Sequence, residues 1–112
     1  MPNKIERLSV VTGTITATNA APSATTPRIN FGSAAGGVFI VDSLTTSPTT
    51  LTWHVAFGDE LTPRPVNDGS AAVTTSVTAN TCYPIPDAVF GAPFISVVTN
   101  TGSAALRFCI KG

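Results

Sequence analysis

The sequence predicts an all-β fold: a single antiparallel β-sandwich, jelly-roll-like in architecture. Three observations carry that prediction. Charged residues make up only 11% of the chain, against about 25% in an ordinary globular protein. Threonine and serine stand in their place, and threonine, being β-branched, suits an exposed strand face. Several short segments alternate apolar and polar residues, the signature of a half-buried strand. No segment carries helical periodicity over helix length, while proline and glycine punctuate the chain throughout. At 112 residues the length sets one domain. A chain of this size buries roughly two-thirds of its unfolded surface, enough for one core without metal or disulfide support.

Residues 1–8 read as an N-terminal arm and residues 9–112 as the sandwich domain. "SVVTGTITAT" alternates Val11, Gly13, Ile15 and Ala17 on one face with Thr12, Thr14, Thr16 and Thr18 on the other. It is a half-buried strand with a threonine face. Residues 19–37 form a long loop rich in proline, glycine, serine and alanine, with a short extended piece expected at Ile29 and Phe31. Loops of that length usually carry contacts or disorder.

"GVFIVDSL" is apolar on both faces and is expected to be a central strand covered on both sides. "LTWHVAF" alternates cleanly, with Leu51, Trp53, Val55 and Phe57 expected inside and Thr52, His54 and Ala56 outside. Trp53, the only tryptophan, is the expected core anchor. "GDELTPRPVNDGS" reads as a second loop with an Asp68-Gly69 turn. "AAVTTSVTA" alternates again, with Val73 and Val77 inward. "DAVF" is expected to form one helical turn, with Asp87 as its N-cap and Gly91 as its end. "PFISVVTN" and "AALRFCIKG" form a closing hairpin. Periodicity alone is equally compatible with a jelly-roll and an immunoglobulin-like strand order.

Composition narrows function. Six basic and six acidic residues leave no net charge, so there is no basic face of the kind nucleic acid requires. A low-charge surface tends to associate, which suggests coverage by other subunits. No run of about 18 apolar residues suggests a membrane span, and "MPNKIERLSVV" has no apolar stretch long enough for a secretory signal. Synthesis in a cytoplasm is the simplest expectation. Cys82 and Cys109 are then reduced thiols, expected to be buried. Their spacing does not suggest a metal site.

No catalytic set is expected. His54, the one histidine, lies on the polar side of its strand and is expected to be exposed or interfacial. No GxSxG elbow accompanies it. Asp59, Glu60, Asn67 and Asp68 collect oxygen ligands in one loop but lack the spacing of a calcium loop. "GSAAGG" lacks the Lys-Ser/Thr of a phosphate loop. No cofactor is expected. Glycan binding would need exposed aromatics, for which Phe31, Tyr83 and Phe90 are the candidates at loops and corners.

One stretch suggests more. Trp53 and Val55, Pro65 and Asp68, the Val73 to Thr78 strand, Tyr83 and Pro86, and Phe90, Gly91, Pro93, Phe94 and Ile95 form an ordered set. That set, over roughly the C-terminal half, resembles small β-sandwich structural proteins encoded among the head genes of tailed bacteriophages. The chain departs from their pattern at "GDELTPRP", where a tight Asp-Gly-Gly hairpin is usual, and at Cys82, where a polar residue is usual. The resemblance implies a non-enzymatic virion protein: a capsid decoration or cement protein, forming a homo-oligomer and binding the major capsid protein. A head fibre, neck or tail component and a carbohydrate-binding adhesion module are the alternatives. The arm residues Pro2, Asn3, Lys4 and Arg7, and the loop residues Arg28, Asn30 and Phe31, are the expected partner contacts. Trp53, Tyr83, Pro86, Phe90, Gly91, Pro93 and Phe94 are the expected core and corner. In that corner Phe90 and Phe94 plug one end of the core.

Overall fold

The computed structural model describes residues 10–30, 32 and 36–111. The strands are β1 (Val10–Thr18), β2 (Ile29–Asn30), β3 (Gly36–Leu44), β4 (Thr49–Ala56), β5 (Arg64–Pro65), β6 (Asn67–Asp68), β7 (Ala71–Ala72), β8 (Thr74–Val77), β9 (Thr81–Pro84), β10 (Phe94–Thr99) and β11 (Ser103–Lys111), with a 3₁₀ turn at Asp87–Gly91. The pairings are nested. β1 lies antiparallel to β11, β2 to β10, β3 to β9 and β4 to β8. That is one long antiparallel ribbon, doubled back at the β4–β8 connection. Rolling it brings β11 beside β3 and β10 beside β4. Two sheets result, in the orders β1-β11-β3-β9 and β2-β10-β4-β5, with β8 also on β4. This is the strand order of a jelly roll, which settles the choice that periodicity left open.

The inner faces of the two sheets make the core. Phe39, Val41, Leu106, Phe108 and Ile110 come from one sheet, and Leu51, Trp53, Val77, Ile95 and Val97 from the other, all nearly inaccessible to solvent. Trp53 meets Phe39 edge-on at 5.3 Å between ring centroids, and Phe39 stacks on Phe108 at 5.7 Å. These are the edge and offset arrangements that aromatic quadrupoles favour. Trp53 is the anchor expected of it.

Four expectations about strand faces fail, the plainest being Ala56, expected outside but 3% exposed. β3 is central in its sheet, but only Phe39 and Val41 are covered; Val38 is 43% exposed and Ile40 36%. Among the described residues no second layer lies over the outside of that sheet. On β4, Phe57 lies past the strand end at Ala56 and is 78% exposed, while His54 is only 7% exposed. His54 is flanked across the sheet by Ser96 on β10 and Pro65 on β5. Ser96 on the same face is 1% exposed, and its Oγ donates to the Pro27 carbonyl at 3.1 Å. That contact brings the segment before β2 against this face, and Arg28 ties the segment to the turn after β4. The loop expected around an Asp68-Gly69 turn contains β5 and β6, and the single strand expected over residues 71–79 is split into β7 and β8. β5 and β8 both run along β4, and β6 and β7 form a hairpin between them. The amide of Val73 donates to the Val66 carbonyl at 2.8 Å and closes the base of that hairpin.

The proline-rich approach to β10 is a corner. Pro86 is the residue before the 3₁₀ turn, with φ −58° and no capping side chain. Asp87 is therefore the first residue inside the turn and not its cap. The turn ends at Gly91 and the chain is extended again at Ala92. Val89 and Ile85 fill the end of the core, with Phe90 partly buried against them. Phe94 and Pro93 are half-buried at the start of β10. The plug is therefore aliphatic, not a phenylalanine pair. Tyr83 stacks on Phe39 at 5.7 Å. Its hydroxyl accepts the Thr78 amide at 2.9 Å, which fixes the β8–β9 turn where Asn80 has φ 60°.

Candidate functional site

Two surface features are built from side chains that an isolated antiparallel sandwich would normally keep polar or covered. The first is the outer face of the β1-β11-β3-β9 sheet. Register sets two rows across it. Thr12, Cys109, Val38 and Pro84 form one, and Thr14, Arg107, Ile40 and Cys82 the other. Val38, Ile40, Cys109 and the two threonines line a shallow groove of about 460 Å³. The outer face of a sheet open to water normally carries polar residues at such positions.

Charge lies within this face as well, since Arg107 stands between Thr14 and Ile40 and lines the groove. Arg107 Nε donates to Asp42 Oδ2 at 2.7 Å and Nη2 to Oδ1 at 2.9 Å, a bidentate pair. Hydrogen bonding to Asp42 holds the Arg107 guanidinium above its ordinary pKa. Both side chains are well exposed, so the pair orients charge and adds little stability. Cys82 and Cys109 are free thiols, and Cys82 is exposed. That corrects the expectation of two buried cysteines. Both sit at outward positions of strands whose inward residues are Tyr83 and Phe108.

The second feature is a platform at the end of β4. The Arg28 guanidinium donates to five carbonyls. Three are local, at Ser23, Ala24 and Thr26. Two lie across the gap, at Gly58 (3.2 Å) and Leu61 (2.7 Å). A planar fork with several donors can hold two loops in this way, where an ammonium could not. The turn it holds, closed by the Leu61 amide on the Gly58 carbonyl, displays Phe57 and the 56%-exposed Leu61. With Val55, Ala56, Thr62 and Arg64 they border a second hollow.

Of the expected contact residues, Pro2, Asn3, Lys4, Arg7 and Phe31 lie outside the described residues. Asn30 is exposed and its Oδ1 accepts the Gly32 amide at 2.8 Å. Arg28 has the internal task just described. Sequence reasoning missed Val38, Ile40 and Phe57 as surface residues. The Gly58-Asp59 that follows Phe57 is the signal that could have placed it beyond the strand.

Other chemistry is sparse. His54 Nδ1 lies 3.2 Å from the Thr52 carbonyl. That oxygen can only accept, so Nδ1 carries a proton. Burial pushes the His54 pKa below its ordinary value, against the opposing effect of the Thr52 contact. Among the described residues no three His, Cys, Asp or Glu side chains gather where they could hold a metal ion. Also among them, no helix is long and apolar enough to cross a membrane. The chain matches no family model, no curated protein and no solved structure.

Proposed function

We propose that this protein is a structural component of a virion: a decoration or cement protein that binds the major capsid protein and stabilises the head. One observation carries the reading. The centre of an outer sheet face is apolar, at Val38 and Ile40, and exposed apolar patches rimmed by polar residues mark interaction sites. The low charge content of the chain and its zero net charge agree with a surface meant to be covered. Two weaker supports are analogies. The C-terminal half resembles phage head proteins, and jelly rolls build viral capsid and lectin domains. Fold alone does not assign function. The mechanism is adhesive: bridging adjacent capsomers adds interface area that resists internal pressure. In this reading the protein is made in a host cytoplasm and resides on the capsid surface as a homo-oligomer.

One observation favours a second reading, a carbohydrate-binding module. Phe57 presents an exposed ring beside Arg64, and such rings serve as stacking platforms for sugars. Co-sedimentation with empty capsids from the same genome separates the two. The capsid reading expects saturable binding at a fixed ratio per capsomer, weakened by Ile40→Asp and unaffected by Phe57→Ala. No binding to capsids, with glycan binding lost on Phe57→Ala, would transfer the assignment to the second reading.

A further inference from the structure

The two sheets have four edges, and three of them are blunted. β2 is two residues long and follows Pro27. β9 is four residues long and ends on Pro84. The β5/β8 edge contains Pro65 and is interrupted by the β6–β7 hairpin. Short strands, proline and interruptions are the ordinary means by which sheets avoid pairing with other chains. β1 has none of them. It is nine residues long, "VVTGTITAT", without proline or charge. It pairs residue for residue with β11 and shows no bulge. Among the described residues its other edge has no strand beside it. A long, regular, uncharged edge with no described strand on its outer side is a template for strand addition.

We propose that the free edge of β1 is an interaction edge, and that its occupant is β1 of a second copy, antiparallel about a two-fold axis. The side chains argue for this occupant. In the fully overlapped register Thr14 sits on the axis opposite its own copy, and Thr12 sits opposite the second Thr16. Thr12, Thr14 and Thr16 are all exposed, and threonine–threonine pairs across strands are favourable. On the inner face the same register sets Gly13 opposite Ile15, a small residue facing a large one, so the buried side chains do not collide. The threonine row is therefore self-complementary, as an isologous two-fold contact requires. The joined sheet has eight strands and presents both Val38/Ile40 faces on one side, as a single broader platform. The inference rests on β1 alone and holds whether the platform meets a capsid or something else.

The test combines sedimentation equilibrium with amide hydrogen exchange on the full chain. In a lone copy, alternate β1 amides point away from β11 and exchange fast; in the proposed dimer all interior β1 amides are protected. The Thr12→Lys/Thr16→Lys variant sets like charges opposite each other twice. It should raise the dimer Kd about tenfold or more and restore the alternating pattern in β1. Protection in β11 and β3 should stay intact, which shows that the fold survives. The Thr12→Glu/Thr16→Lys variant places opposite charges across the same register and should dimerise at least as well as the parent at low salt. A parent chain that is monomeric at the concentrations of the exchange experiment overturns the proposal. So does an oligomer whose β1 amides still alternate, because its contact would lie elsewhere.

Discussion

The indole Nε1–H of Trp53 donates to the hydroxyl of Thr75 at 3.0 Å, across the β4–β8 ladder. Trp53 is fully buried, so this is how the one polar atom of the core anchor is satisfied. Thr75→Val keeps the shape and removes the acceptor. A buried donor left without a partner costs about 1–3 kcal/mol. The urea midpoint should fall accordingly for Thr75→Val and stay near the parent value for Thr75→Ser. Equal midpoints in all three would show that water replaces the hydroxyl.

Arg28 joins the loop before β2 to the turn after β4 through carbonyls on both. Arg28→Lys keeps the charge but cannot span the two sets of acceptors. Both Arg28→Lys and Arg28→Ala are expected to lose about 1–3 kcal/mol and to speed proteolytic cleavage within residues 57–62. Cleavage unchanged in both variants would mean that the turn holds itself.

At the corner, the weight of the core end falls on Val89, which is fully buried, and less on Phe90, which is partly buried. Val89→Ala leaves a cavity and should cost about 2 kcal/mol, near the low end for large-to-small core changes. Phe90→Ala should fall short of the roughly 3–5 kcal/mol typical of a fully buried phenylalanine. Chevron or equilibrium unfolding of the two variants side by side decides the ranking.

The strands were legible because their period is local. Ile15, Trp53, Val77 and Ile95 reach the core where alternation puts them. Which second layer covers a face is not local information. β3 is apolar on both sides, yet its outer residues Val38 and Ile40 face solvent. His54 lies on the Thr52 side of the alternation, yet it is buried on a face that the distant segment at Pro27 reaches through Ser96. Phe57 continues the β4 alternation, yet the strand has already ended. The jelly-roll order depends on pairings such as β1 with β11, far apart in the chain, which no window of residues contains. The threonine row of β1 was visible as an exposed face. Its significance as a free edge appeared only once the other three edges were seen to be blunted.

His54 makes stability depend on pH. Burial lowers its folded pKa below the ordinary 6.5, so the unfolded chain binds a proton that the folded chain resists. Stability contributed by the neutral ring is fully present above about pH 6.5 and is lost as the pH falls through the depressed folded pKa. Melting temperatures measured from pH 8 down to 5 should therefore decline on the acid side. His54→Gln, which cannot titrate, should show a flatter profile over the same range. An identical decline in the variant would assign it to carboxylates.

The start of β3 offers a paired test of how closely the sheet is packed. A Cβ on Gly36 meets nothing within 4 Å. A Cβ on Gly37 runs into the Cys109 carbonyl and lies 2.9 Å from the Ile110 Cα. Those obstacles are backbone atoms of the paired strand, so no side-chain rotation relieves the contact. The Gly37 carbonyl also accepts the Ile85 amide at 3.0 Å, which ties the same point to the approach of the corner. Gly37→Ala is expected to cost about 1–3 kcal/mol, the usual range for overpacking, and to loosen amide protection in both β11 and Ile85. Gly36→Ala should be neutral or slightly stabilising, because it restricts the unfolded chain without a clash. Measured by urea unfolding, the two neighbouring substitutions should therefore move the midpoint differently. Equal midpoints would mean that β3 and β11 part at this end at little cost.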